Sequence, residues 1–220
     1  MKKSTPELEK MRTAVFDMDG TVLDSMSEWR RLNTEFLRSR GIEPTEAQRA
    51  QMMQITGRLV VDYYREHFGF ETDFDTLCAE SVGKMEARYR AGLPAKPGAL
   101  DYLRRLGACG VRRVIATATP EPLARIALEN AGLLGELDDV FSVEMIGGGK
   151  GEADFYARLA ERLGVELHTM VMFEDAPYAM RGAVAAGIGV IGITDATNAA
   201  DREAIHALCG AVIDSFDELE

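Results

Sequence analysis

The chain has 220 residues, 25 Lys and Arg against 36 Asp and Glu, and a formal net charge of −11. That length can bury a core without disulfide or metal staples, and the acidic balance argues against a nucleic-acid backbone or an anionic membrane as the main partner. The cysteines Cys78, Cys109 and Cys209 have neither disulfide nor thiolate-metal spacing, which fits a reducing cytoplasm. No apolar run approaches the roughly 20 residues of a membrane helix, and a charged stretch stands where a signal peptide would carry its apolar segment. The protein is therefore read as soluble and cytoplasmic; the oligomeric state is left open, with a monomer expected.

The first strand is predicted at residues 13–16 (TAVF), running straight into Asp17-Met18-Asp19-Gly20-Thr21. Side chains two apart on an extended chain share a face, so two carboxylates meet where the strand ends. Two such groups raise each other's pKa unless a cation or a shared proton intervenes, and the pattern therefore asks for a metal, a proton or both. From Asp24 to about Pro94 strand signals give way to helix signals. Trp29, Leu32, Phe36 and Leu37 mark one buried helix face. Thr45-Glu46-Ala47-Gln48 is a capping-box pattern. Phe74, Leu77, Cys78, Ser81 and Met85 mark a longer helix that must finish before Gly92 and Pro94.

Four further strands are predicted at 111–116, 140–143, 169–173 and 189–193, and each apart from the last is followed by helix-period sequence. Thr119-Pro120 reads as an N-cap with proline at the first helical position. Helices are predicted at 152–163 and 177–186, the second stopped by Gly187. The fold class is α/β, a Rossmann-like parallel sheet with helices on both faces. The expected organisation is a discontinuous core, residues 1–26 and 93–220, with an all-helical cap at 27–92 inserted after the first strand. The hinges are expected near residues 25–27 and 92–97.

Ligands gather beyond the carboxyl ends of the strands in such a sheet. Asp17 and Asp19 stand there after the first strand, Thr117 and Thr119 after the second, Glu174 and Asp175 after the fourth, with Lys150 following Ile146-Gly147-Gly148-Gly149. Lys150 is followed by Gly151 where a nucleotide P-loop needs Ser or Thr. There is no G-x-S-x-G, and His67, His168 and His206 match no triad or metal pattern.

These segments resemble the haloacid dehalogenase superfamily of phosphotransferases, specifically its phosphatase and β-phosphoglucomutase-like branch with a small helical cap. The resemblance rests on VFDMDGTVLDS at 15–25, VIATATP at 114–120, GKGEADFY at 149–156 and MFEDAPYAMRGAVAAG at 172–187. It implies Asp17 as the nucleophile, forming an aspartyl-phosphate, and Asp19 as the general acid and base, with a raised pKa. It also implies phosphate binding by Thr117, Ala118 and Lys150. A Mg²⁺ site would comprise Asp17, the backbone carbonyl of Asp19, Glu174 and Asp175, an oxygen-only set that suits this ion. Either Glu174 or Asp175 could instead cap the following helix.

Thr119 is read as a cap, with substrate contact as the alternative, and Asp154 as a helix-start or lysine-orienting acid. Trp29 stands where the sugar-phosphate mutases of this branch carry a histidine that helps deliver a proton. Arg58 follows Thr56-Gly57 in a segment resembling the cap's specificity loop. Both are candidate specificity residues, against core packing for Trp29 and solvation for Arg58. The expected activity is Mg²⁺-dependent hydrolysis of a small phosphorylated metabolite of the sugar- or polyol-phosphate type. A mutase and a non-catalytic phosphoaspartate switch are the alternatives.

Overall fold

A computed structural model describes residues 3, 6–52, 55 and 59–219. Arg58, Thr56 and Gly57 lie outside the described residues. Six strands form one sheet: β1 Thr13–Phe16, β2 Arg112–Thr117, β3 Asp139–Ser142, β4 Met170–Glu174, β5 Gly189–Ile193 and β6 Ala211–Ile213. The order is β3-β2-β1-β4-β5-β6 and every pairing is parallel. Helix α1 (Pro6–Lys10) precedes β1. Helices α2 (Met26–Arg38), α3 (Glu46–Met52), α4 (Leu59–Phe68), α5 (Phe74–Ala91) and α6 (Ala99–Ala108) intervene before β2. The remaining helices are α7 (Glu121–Asn130), α8 (Val143–Ile146), α9 (Ala153–Leu163), α10 (Pro177–Ala185) and α11 (Arg202–Leu208).

Alternation along each strand sorts the core into two layers, because successive side chains point to opposite faces. Ala14, Phe16, Ile115, Val171, Phe173 and Ile191 join one buried cluster, which α6 and α7 cover with Tyr102, Leu103, Ala124 and Leu128. Val15, Val114, Ala116, Met172 and Val190 join the other, beneath α9 and α10. Phe16 and Phe173 stack with centroids 4.5 Å apart, so the strands that carry Asp17 and Glu174 are locked together just behind those acids.

A third apolar cluster lies wholly between the helices that separate β1 from β2, around Phe36, Leu37, Met52, Val60, Tyr64 and Leu77. Tyr64 donates its hydroxyl to the Asn33 carbonyl at 2.8 Å, which satisfies the polar end of a buried ring. The α3 capping box forms as expected: the Thr45 amide donates to Gln48 Oε1 at 2.9 Å, and the Gln48 amide to Thr45 Oγ1 at 3.3 Å. The two segments that join these helices to the sheet run side by side. The Asp24 amide donates to the Pro94 carbonyl at 2.8 Å and the Lys96 amide to the Val22 carbonyl at 2.9 Å. The C-terminal half of α5 leans on the sheet side, since Met85 and Tyr89 belong to the cluster of Phe16 and Phe173.

The structure departs from the sequence reading at three places. A sixth strand, β6, extends the sheet and α11 follows β5; three residues of Ala-Val-Ile between Gly210 and Asp214 are too few for a periodic signal. Val143 opens the short helix α8 and does not end β3. The N-cap of α7 is Pro120, with Pro122 inside the first turn and no side-chain cap, so Thr119 is released for another task. Among the described residues no helix is long and apolar enough to cross a membrane.

Candidate active site

The order β3-β2-β1-β4 reverses the direction of strand progression between β1 and β4, the crevice where ligands bind in open α/β sheets. Phe16 is in register with Ile115 on one side and Phe173 on the other, and the Asp17 amide extends the ladder by donating to the Phe173 carbonyl at 2.9 Å. Asp17 therefore emerges beside Glu174 and next to the Thr117 end of β2. The turn after Asp17 is tight: the amides of Thr21, Val22 and Leu23 all donate to the Met18 carbonyl, and Gly20 takes φ +87°. A Cβ at Gly20 would collide with Asp175 Oδ2, so glycine here serves both the left-handed backbone and the approach of the second acid.

Asp17, Glu174 and Asp175 are buried and offer carboxylate oxygens within 4.8 Å of one another. Lys150 is also buried; its Nζ donates to Asp17 Oδ1 at 2.6 Å and lies 2.6 Å from Glu174 Oε2. Its approach depends on Gly182 of α10, where a Cβ would run into the Lys150 carbonyl and the Gly151 backbone. Glu174 uses Oε1 to accept the amides of Asp175 and Ala176 at 3.1 and 3.0 Å. Its Oε2 has the ion pair but no hydrogen-bond partner. Three acids thus face one ammonium, a local excess of negative charge in a dry crevice.

The titration behaviour follows from that excess. Burial pushes the Asp17 carboxyl up to about 7; Lys150 pulls against that shift and Glu174 adds to it. Burial, then the facing Glu174 and Asp17 carboxylates, hold Asp175 well above the usual carboxylate range. Burial works against the Lys150 ammonium, but Asp17 and Glu174 hold it well above the ordinary lysine value. A divalent cation fits this donor set: oxygen ligands only, three carboxylates against one ammonium, and two acids that resist ionisation without a further positive charge.

The Asp19 carboxylate lies apart from that trio. Its Oδ1 accepts the Ser25 hydroxyl and the Tyr89 hydroxyl, each at 2.6 Å, and its Oδ2 accepts the Thr119 hydroxyl at 2.8 Å. Thr119 in turn gives its amide to Thr117 Oγ1 at 3.1 Å. Trp29 is half-buried and donates its indole N–H to the Tyr89 hydroxyl at 3.2 Å. Asp154 is exposed in the first turn of α9, leaving Asp17 and Glu174 as the lysine's ion-pair partners.

A cavity of about 360 Å³ opens over these groups and is lined on the sheet side by Asp17, Asp19, Thr117, Ala118, Glu174 and Asp175. Helices α2, α4 and α5 supply the opposite wall, mostly apolar, with Trp29, Val60, Phe74, Leu77 and Val82. Arg30, Asn33 and Ser81 are its polar members. Ser25, Tyr89 and Arg30 are site residues that the sequence reading missed. Ser25 was taken only as a hinge, and nothing in a helix-period pattern distinguishes Tyr89 from a core aromatic.

Comparison with known proteins is consistent with this geometry. A family model described as haloacid dehalogenase-like hydrolase matches residues 11–187. Hexitol phosphatase A of Escherichia coli (strain K12) is 31% identical over 182 residues, covering 81% of each chain. Validoxylamine A 7'-phosphate phosphatase of Streptomyces hygroscopicus subsp. limoneus is 29% identical over 191 residues, 83% of this chain and 85% of the relative. The crystal structure of CbbY from Rhodobacter sphaeroides in complex with phosphate superposes with a TM-score of 0.73 at 20% identity, over 94% of this chain and 95% of that one, a likeness of fold alone. The chain belongs to the haloacid dehalogenase-like hydrolases.

Proposed function

We propose that the protein is a Mg²⁺-dependent phosphatase that hydrolyses a small phosphorylated metabolite through an aspartyl-phosphate. The observation that carries this reading is the meeting of Asp17, Glu174 and Asp175 on the sheet side of the 360 Å³ cavity, with Lys150 paired to Asp17 behind them and Asp19 held beside them by its own donors. Asp17 attacks phosphorus and the phosphorus–oxygen ester bond breaks as the alcohol oxygen takes a proton from Asp19. Asp19 then removes a proton from water, which attacks the aspartyl-phosphate and releases inorganic phosphate, restoring both acids. A carboxylate needs no base to act as nucleophile, and transfer of a phosphoryl group rests chiefly on positioning and charge neutralisation.

Mg²⁺ held by Asp17, Asp175, Glu174 and the Asp19 carbonyl would supply that neutralisation. Lys150 keeps a fixed positive charge beside Asp17, and the Thr117 hydroxyl and the Ala118 backbone are poised to donate to phosphoryl oxygens. Residues 27–92 act as a cap in this reading, closing the cavity over the substrate's alcohol portion. The sugar- and polyol-phosphate class is the one to test first, given the substrates named for the relatives. Carbon skeleton would rest on the apolar wall and hydroxyls on Arg30, Asn33 and Ser81. Hydrolysis is favoured over mutase chemistry by Trp29, because an indole N–H only donates and here it is engaged by Tyr89. Three free cysteines agree with a reducing cytoplasm.

The reading is tested by phosphate release from a panel of sugar and polyol phosphates with Mg²⁺ or with EDTA. Chelation should abolish turnover. Asp175→Asn should raise the Mg²⁺ concentration for half-maximal activity by at least about tenfold. Full activity in EDTA would remove the metal from the account.

A further inference from the structure

We infer that Tyr89, steered by Trp29, is a positioning residue that dictates which oxygen of Asp19 exchanges a proton with the substrate. The inference rests on the reading of Asp19 as general acid and base, and goes beyond it by adding a residue from α5 that holds the Asp19 carboxylate.

The argument begins with the number of donors and acceptors at the Tyr89 hydroxyl. A phenol has one proton to give. The Trp29 indole N–H, which can only donate, reaches the Tyr89 oxygen at 3.2 Å and so occupies its accepting side. The phenol proton is thereby directed to Asp19 Oδ1, 2.6 Å away. An ordinary phenol keeps its proton at neutral pH, so Tyr89 serves as a hydroxyl donor.

Oδ1 also accepts the Ser25 hydroxyl and is therefore filled by two donors. Oδ2 has one, Thr119. The two acceptor sites of Oδ1 are taken, one of them by a phenol that Trp29 keeps turned toward it, whereas Oδ2, which accepts Thr119 alone among the described residues, keeps a site for the proton that passes to the substrate. Proton exchange is thus confined to Oδ2.

Tyr89 is the firmest of the three donors. Ser25 and Thr119 hydroxyls swing about one bond, but the Tyr89 oxygen sits on a fully buried ring. The backbone of that residue is tied to the sheet side, since Asn130 of α7 donates its side-chain Nδ2 to the Tyr89 carbonyl at 3.0 Å. The arrangement keeps the acid aimed from a point anchored on the sheet side. A group held in productive orientation lowers the barrier without touching the reacting atoms.

The test exploits the leaving group. p-Nitrophenolate departs without a proton, whereas the alkoxide of glycerol 1-phosphate requires one. Tyr89→Phe keeps the ring and removes the hydroxyl. It should lower the single-turnover rate of alcohol release from glycerol 1-phosphate about tenfold and that of p-nitrophenolate release by about threefold or less, both read before the aspartyl-phosphate hydrolysis that also uses Asp19. Trp29→Phe should show the same selectivity with a smaller loss. Asp19→Asn is the reference, expected to show this selectivity in its strongest form.

Equal losses of Tyr89→Phe on both esters, or none, with Asp19→Asn selective, would overturn the role of Tyr89 and leave the phosphatase reading standing. Absence of leaving-group selectivity in Asp19→Asn, or cleavage of neither ester by the wild type, would overturn the acid–base reading and this inference with it.

Discussion

Asp17→Asn is expected to lower phosphate release by at least about 10⁴-fold, since removing a nucleophile leaves only binding and electrostatic catalysis. The fold should survive. Asparagine matches aspartate in shape, Lys150 keeps its ion pair with Glu174, and the change removes a charge from a crevice that already holds too many of one sign. Burial pushes Asp17 up to about 7 in the metal-free chain, so its ionisation costs folding free energy. The metal-free variant should accordingly melt at or above the wild-type temperature while being inactive. Steady-state phosphate release and a thermal melt in EDTA check both halves. Undiminished turnover in a folded variant would take the nucleophile away from Asp17.

Lys150→Ala should be damaging in both respects. The side chain is buried and is the ammonium that Asp17 and Glu174 share, so its removal leaves buried carboxylates without a counter-charge. Breaking a buried pair in this way costs about 3–5 kcal/mol, or roughly 6–20 °C in melting temperature for a domain of this size. The pH dependence has a definite sign. Asp17 and Asp175 have raised values in the folded chain, so the native state binds protons more tightly than the unfolded one. Their contribution is full below the ordinary carboxylate value and is lost as pH rises, through about 7 in the case of Asp17. Lys150 keeps its charge over that window, because its own value is raised further. The deficit of the variant should therefore be larger at about pH 8 than at about pH 5.5. Melts in EDTA at the two pH values test this, and an equal deficit at both would contradict it.

The contrast between what could and could not be read in the chain has a physical origin. Alternating strand and helix periods gave five of the six strands and the helical block between β1 and β2. A sheet of hydrophobic strands and covering amphipathic helices writes its period locally. β6 escaped because a three-residue edge strand is stabilised by its register with β5, a tertiary relation. The convergence of Asp17, Lys150, Glu174 and Asp175 was legible because parallel topology sends every strand end to one edge.

The partners of Asp19 were not legible. Ser25 was read as part of a hinge and Thr119 as a cap, while Tyr89 carried no sign that set it apart, and each role depends on a hydroxyl crossing from another element. Thr119 is instructive. Its neighbour Pro120 took over the cap position, which released the threonine hydroxyl for Asp19. Gly182 carried no readable sign either, since its lack of a Cβ matters only through the Lys150 backbone passing against α10.

The central claim is that Asp17 itself carries the phosphoryl group. A single turnover with Mg²⁺, quenched in acid at successive times and followed by peptide mass spectrometry, tests it most directly. The account requires one phosphoryl group on the peptide bearing Asp17, rising and then decaying as phosphate appears, and persisting in Asp19→Asn. Phosphate released at the normal rate while that peptide stays unmodified at every time point would contradict it.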